Sequence, residues 1–427
     1  MKDLTTPARF RWLPLGLRPD PKYGPMDQRQ ERTILLVGAA ALFAGYDQNV
    51  FGLAIPQIQA ELNIPENEVG LTVAYFRVAA IFAMLLAASA DVIGRRQLLL
   101  ITLFGQAAFT LITAFAPDYK SFVLAQFLTR FFGYAEEMLC FVVIAEVVAS
   151  GARGWANGTL SAMYYVGAGL ASLVFALVNL LPYGWRAIYV IGALPIFAVA
   201  YLRRHLPETE RFAERQGVGS KTAQAVRLVK DIARQHPRRV ALIVIAASAF
   251  GFAISPATVL AQKYLQDTYL YSPGEVTMLL IPGGLIGLAL AILAGRLSDR
   301  VGRKPMAFFI VSLVAVCFFL FYNGAPGWAI PPLWILAFFG FFSGDALIAG
   351  FALEIVPTQY RATVSGLRYL VEMLFGAVAL ALEGVLYDYF GSHSAAIQCL
   401  LAAIPITLIA ILFLPEPAGR TLEEMAS

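Results

Sequence analysis

Charge is scarce in this chain. Asp, Glu, Lys and Arg supply 14% of its 427 residues, where a water-soluble protein carries about a quarter. That scarcity argues against the two or three soluble domains that length alone would suggest. Cysteine and histidine are scarcer still, at three each. Cys140, Cys317 and Cys399 fall inside apolar runs without metal-ligand spacing, so they read as buried free thiols and no metal is expected. His205, His236 and His393 lie near or beyond the ends of apolar runs, so a histidine proton relay is not expected. No nucleophile–base pair, metal cluster or phosphate loop is found, which points away from an enzyme and from any cofactor. The net charge of +4 leaves no nucleic-acid footprint. Residues 1–32 are polar, Pro-rich and basic and lack the apolar core of a secretory signal, so they read as a cytoplasmic tail.

What the chain has in excess is apolar length. Hydrophobic residues make up 59% and mean hydropathy is +0.69. The reading is an all-α polytopic membrane protein, embedded in a lipid bilayer. Runs of about 20 residues, enough to cross about 30 Å of hydrocarbon as helix, fall near 33–58, 69–90, 97–116, 120–146, 155–181 and 184–203. Six more fall near 240–266, 273–297, 305–323, 330–355, 362–387 and 393–414. The expected organisation is a six-helix bundle over 33–203, a basic linker over 204–239 with amphipathic helix, a second bundle over 240–414 and a tail over 415–427. Of the 32 Lys and Arg, 26 fall in the tails and the loops on their side, three on the other side and three inside spans. This asymmetry places both termini in the cytoplasm of a cell membrane, most simply a bacterial inner membrane. The short loops leave no room for a soluble catalytic domain.

A charged stretch occurs twice. Asp91-Val92-Ile93-Gly94-Arg95-Arg96 returns, 208 residues on, as Asp299-Arg300-Val301-Gly302-Arg303-Lys304. At the same offset Glu146 and Arg153 return as Glu354 and Arg361, and Leu206-Pro207-Glu208 as Leu414-Pro415-Glu416. Three features sharing one offset indicate two homologous halves. Gly94 and Gly302 suit tight turns. The acids and bases around them can pair at the cytoplasmic rim.

Charges also occur within the spans, where each costs roughly 2.5–3.5 kcal/mol on insertion scales. They are Asp47, Arg77, Arg130, Glu136, Glu137, Asp345, Arg368 and Glu372. Three bases against five acids leave a formal charge of −2, so at least one acid is expected to be protonated or solvated. Arg130 and Glu137, seven apart, share a helix face. Arg368 and Glu372 are spaced as an i,i+4 pair. Glu383 reads as a rim residue. Gln48, Gln262, Tyr46 and Tyr164 can line a cavity, although aromatics in apolar helices mostly pack.

These residues resemble those of a family. Gly295-Arg296-Leu297-Ser298-Asp299-Arg300-Val301-Gly302-Arg303-Lys304 is similar to the signature loop of major facilitator superfamily transporters. Residues 30–424 resemble the branch holding sugar porters and proton-coupled acid symporters. In the first copy Ala87 and Ser89 replace the signature Gly and Leu. The resemblance implies two six-helix bundles with the superfamily fold, working by alternating access as a monomer. It implies a cytoplasmic latch built from Asp91, Gly94, Arg95, Arg96, Glu146, Arg153, Asp299, Gly302, Arg303, Lys304, Glu354 and Arg361. It also implies that span 1 lines the cavity, with Asp47 in Gly45-Tyr46-Asp47 as the proton carrier and Arg130 as the group that releases it. One departure stands out: Arg130 precedes Glu146 by 16 residues, about a turn less than the family's spacing. Either span 4 has lost a turn or Gln126 takes the arginine's place.

The paired glutamines that sugar porters carry in span 7 and their glutamine-leucine pair in span 5 are both missing, which disfavours a hexose. Guanidinium groups in central spans suit a carboxylate, bound bidentately. The expected function is therefore proton-coupled symport of a small organic anion, with Asp47, Glu137 and Arg130 in coupling. Arg77, Arg130, Gln48, Tyr46, Tyr164, Gln262, Asp345, Arg368 and Glu372 are the candidates for contact with the solute. Proton-coupled export of organic cations or drugs, transport of a sugar or polyol, and a non-transporting receptor on the same fold are the alternatives.

Overall fold

In a computed structural model, the described residues are 10, 12–13, 18–20, 26–148, 152–204, 230–232, 234–357 and 360–417. Among them the chain is helical. In order come α1 (Gln28–Leu53), α2 (Ile55–Leu62), α3 (Glu66–Ala88), α4 (Ala90–Ile93), α5 (Arg95–Ala114), α6 (Tyr119–Val147), α7 (Arg153–Phe175) and α8 (Trp185–Arg203). Then follow α9 (Pro237–Val259), α10 (Ala261–Thr268), α11 (Pro273–Val301), α12 (Arg303–Tyr322), α13 (Ile330–Glu354), α14 (Arg361–Phe390), α15 (His393–Leu401) and α16 (Ile404–Phe413). Among the described residues, eleven stretches are long and apolar enough to cross a membrane, with α9–α10 and α15–α16 each forming one. The twelfth span is α6. It is 29 residues long, and Arg130, Glu136 and Glu137 at its middle set its composition apart. The fold is an all-α polytopic one of twelve spans.

Local chemistry sets the helix boundaries. Capping boxes start α1 (Asp27 with Gln30), α6 (Asp118 with Ser121) and α11 (Ser272 with Glu275). In each, the cap side chain accepts a backbone N–H that the first turn leaves unpaired. Span 1 ends earlier than expected, at Leu53. Pro56 opens the separate α2 instead of bending the span.

Two compact units emerge. One holds residues 1–62 and 79–219, the other 63–78 and 220–427. The first turns of α3 thus group with the second unit, where the sequence boundaries had put all of α3 in the first bundle. Within the first unit α1 packs along α7, and α5 packs against α6 and α8. Within the second, α9 packs along α14, and α12 against α13 and α16. These are the same pairings at the 208-residue offset.

Of the tail, Phe10 and Leu13 are buried in the first unit, beside Ala90, Leu98, Val148, Ala152 and Ala156, and the Phe10 ring meets Trp155 edge-on. Burial of these two apolar side chains holds this part of the tail on the bundle. Residues 205–229 of the linker and 418–427 of the carboxy-terminal tail lie outside the described residues. Residues 230–232 are helical.

The α1–α7 pair owes its closeness to glycine. A Cβ on Gly167 would stand 1.7 Å from the Leu42 carbonyl oxygen, and one on Gly45 2.0 Å from that of Tyr164. Small residues permit such backbone contact between helices that share no hydrophobic driving force in lipid. By contrast, nothing lies within 4 Å of a Cβ on Gly169. Gly167→Ala is therefore expected to destabilise the protein by about 1–3 kcal/mol or more, read as a lower melting temperature in detergent, while Gly169→Ala leaves it unchanged or slightly higher.

Candidate functional site

The repeated turns form one set of contacts twice. Gly94 and Gly302 adopt φ of 104° and 114°, a region open to glycine and strained for other residues. Arg95, turned inward, meets Glu146 at 3.3 Å and donates to the Ala90 carbonyl. Its counterpart Arg303 meets Glu354 at 3.1 Å and donates to Ser298, which replaces Ala90 at the offset. Arg153 and Arg361 donate to the carbonyls of Val148 and Val356, again equivalent positions. Asp299 pairs with Arg303 across the Gly302 turn at 2.7 Å. Glu416 accepts the backbone N–H groups of both Arg303 and Lys304, an anion on a helix N-terminus. Arg96 donates to the Arg204 carbonyl. The Asp91 side chain and Glu208 lie outside the described residues. The expected partners are thus sorted: each glutamate takes the arginine after the glycine, while the arginine that opens the next helix binds backbone.

Inside the first unit, Asp47 is 1% exposed. Its Oδ1 accepts from the Thr110 hydroxyl of α5 at 3.0 Å, and Gln106 of the same helix lies beside it. Its Oδ2 has no hydrogen-bond partner. Arg130 donates to the backbone carbonyls of Gln48, at 3.0 Å, and Asp47, at 3.4 Å. Arg130 thus meets the α1 backbone and not the Asp47 carboxylate, while Gln126 donates to Thr113. Gln48 bridges two neighbours: Tyr164 donates to its oxygen at 3.0 Å, and its amide nitrogen donates to Glu137 at 3.4 Å. Gln48, Glu137 and Tyr164 are half-buried. Tyr46 is a correction: it is 2% exposed, packs on Gly192 and donates to the Ile188 carbonyl. It packs between α1 and α8 inside the first unit.

A fully buried ion pair in this unit is one that the sequence did not lead us to expect. Arg203, the last residue of α8, is 1% exposed and pairs with Glu136, which also accepts from Thr102 and Cys140. Arg203 donates further to the Leu36 carbonyl. The signal for it was the surplus of acids. With Arg203 the central charges become four bases against five acids, and the formal surplus falls from −2 to −1.

In the second unit Arg368 donates to both Asp345 and Glu372. Arg77 on α3 donates to Ser255 of α9 at 2.7 Å and is close enough to act electrostatically on Glu372. Gly376 makes room: a Cβ there would stand 2.3 Å from Arg77 Nη1 and 2.4 Å from Ser255 Oγ. Ser255 is a second residue that the sequence reading passed over as a site group. Gln262 is not part of this cluster; it lies on α10, beyond Leu260, where its carbonyl accepts from Gln266.

Among the described residues, eleven apolar spans with α6 beside them, internal duplication and charged groups buried at mid-span define a multi-pass membrane transporter. The chain matches the family model of the Major Facilitator Superfamily over residues 37–380, and it belongs to that family. It is 26% identical to a probable 4-methylmuconolactone transporter of Cupriavidus pinatubonensis, over 93% of each chain. It is 26% identical to a citrate-proton symporter of Salmonella typhi, over 75% of this chain and 77% of that one. Its fold superposes on the inward-open xylose transporter XylE of E. coli with TM-score 0.71 at 19% identity, covering 93% of this chain and 99% of that one.

The Arg203–Glu136 pair generates a test. Removing one member of a buried pair strands the other, which typically costs about 3–5 kcal/mol. Glu136→Gln and Arg203→Met are each expected to lower the melting temperature. The double variant Glu136→Leu/Arg203→Met is expected to recover most of the loss, as read in a double-mutant cycle.

Proposed function

We propose that the protein is a proton-coupled symporter of a small organic carboxylate, working by alternating access. The observation that carries this reading is the setting of Asp47. A carboxyl removed from water, with one oxygen on a neutral hydroxyl and the other without a donor, is costly as an anion and relieved by a proton. In this proposal the proton sits on Asp47 Oδ2. Arg130, fixed to the backbone one residue on, favours the ionised form when the proton leaves.

Arg77 is the proposed carboxylate-binding group. It is half-buried and bonded to a hydroxyl, and a guanidinium there can take a carboxylate through two parallel hydrogen bonds. Arg368 suits that role less, since Asp345 and Glu372 already take up its charge. Within the first unit, Gln48, Tyr164 and Glu137 form a hydrogen-bonded polar set of their own. The names of the two relatives, one a citrate-proton symporter and one a muconolactone transporter, fit both halves of the proposal. The repeated Arg–Glu contacts at the Gly94 and Gly302 turns are proposed to steady the cytoplasmic ends of the spans. Both termini are proposed to lie in the cytoplasm of a bacterial inner membrane, with the monomer as the working unit.

Proteoliposomes loaded with a pH dye test this directly. Inward gradients of citrate and nicotinate are expected to carry protons inward, and Asp47→Asn to abolish proton-driven accumulation while solute exchange stays measurable. Equal loss of both would make Asp47 a structural or binding residue. Proton exit driven by lipophilic cations, with no response to any carboxylate, would instead establish export of organic cations.

A further inference from the structure

The second unit brings together five ionisable groups that the proposed coupling site does not use. They lie at the end of the helices opposite the Gly302 turn, on α3, α10, α14 and α15. His393, the first residue of α15, sits between two carboxylates. Its Nδ1 is 2.6 Å from Glu383 Oε1 and its Nε2 is 2.9 Å from Glu66 Oε2. The three side chains are graded in exposure: Glu66 is 42% exposed, His393 16% and Glu383 0%. A hydrogen-bonded row thus leads from water to a fully buried carboxylate.

The remaining neighbours are charged or aromatic. Lys263 Nζ stands 3.1 Å from Glu66 Oε2 and 2.6 Å from Asp267. Tyr387 covers the imidazole, with ring centroids 4.4 Å apart. Tyr322 of α12 faces Glu383 and donates to the Ala257 carbonyl. Glu383 Oε2 has no hydrogen-bond partner. Gly70 on α3 leaves space over it, since a Cβ there would stand 2.8 Å away.

Proton counting follows from this geometry. A neutral imidazole has one N–H and one lone pair, and an ionised carboxylate only accepts. Flanked by two ionised carboxylates, a neutral ring would bond one and oppose a lone pair to the other at under 3 Å. Both contacts become hydrogen bonds only when the row holds one more proton, on the ring or on a carboxyl. Without it the five groups sum to −2, with Glu383 wholly out of water. With it they sum to −1.

We propose that Glu66, His393 and Glu383 form a proton-exchange site of this transporter, with Glu66 as the water-facing entrance and Glu383 as the buried acceptor. A proton arriving on Glu66 passes to Nε2 of a ring that carries hydrogen at Nδ1, giving imidazolium. The Nδ1 proton then passes to Glu383 Oε1 and leaves a neutral ring with hydrogen at Nε2. One proton enters and one carboxylate is neutralised. Release runs the same steps backwards. The role rests on the proton coupling proposed above, and it gives the coupled proton a place to meet water. The histidine relay that the sequence reading set aside thereby returns, because a span end is where α3 and α14 close over His393.

The chain has three histidines, so 15N-histidine labelling of the full protein in lipid nanodiscs gives a spectrum that His393→Gln assigns. At pH 7 both ring nitrogens of His393 are expected to carry hydrogen, and Glu383→Gln to leave one bare. If the proton sits on a carboxyl instead, infrared spectra are expected to show a carboxylic-acid band that Glu383→Gln or Glu66→Gln removes. A neutral ring with no such band overturns the proposal. In dye-loaded proteoliposomes with citrate and nicotinate, His393→Gln is expected to lower proton-driven accumulation at least about tenfold. Accumulation equal to the wild type overturns the role in transport. A wild-type protein that moves no protons overturns the proposed function itself, and the ring and carboxyl spectra then decide the exchange site alone.

Discussion

A charge placed among apolar helices must find its counterpart inside the protein, because hydrocarbon supplies none. Most of the central architecture follows from that need. Glu136 finds Arg203, Arg368 finds Asp345 and Glu372, and Glu383 finds His393. Most partners come from another helix, so each buried pair also fixes how two helices sit within their unit.

The way each charge is answered separates structure from chemistry. Glu136 is surrounded by donors from Arg203, Thr102 and Cys140. Asp47 is bonded through one oxygen to a hydroxyl, and its neighbouring guanidinium is committed in part to backbone carbonyls. Glu383 likewise keeps one oxygen without a partner. In a low-dielectric interior an incompletely bonded carboxyl is where a proton has most effect.

The duplication shows how closely one contact pattern can be kept while its atoms change. Arg95 meets a backbone carbonyl where Arg303 meets the Ser298 hydroxyl, yet both reach the equivalent glutamate. The glycine at each turn keeps nearly the same φ. Close helix contact is also conserved in kind but moved in place. Gly45 and Gly167 provide it for α1 and α7, whereas Gly251 and Gly376 provide it for α9 and α14.

Hydrophobic length and the 208-residue repeat made the spans, the twofold organisation and the family legible from sequence, since helix length in a membrane is set by bilayer thickness and local composition. The repeated arginines and glutamates were legible for the same reason: their partners share an offset. Side-chain partnership across distant helices was not. That Arg203 turns inward to Glu136, that Tyr46 packs against α8, that Phe10 and Leu13 are buried, and that His393 stands between Glu66 and Glu383 all depend on helix rotation and packing. Those angles arise from side-chain contacts among residues tens to hundreds of positions apart, and no periodicity along the chain encodes them.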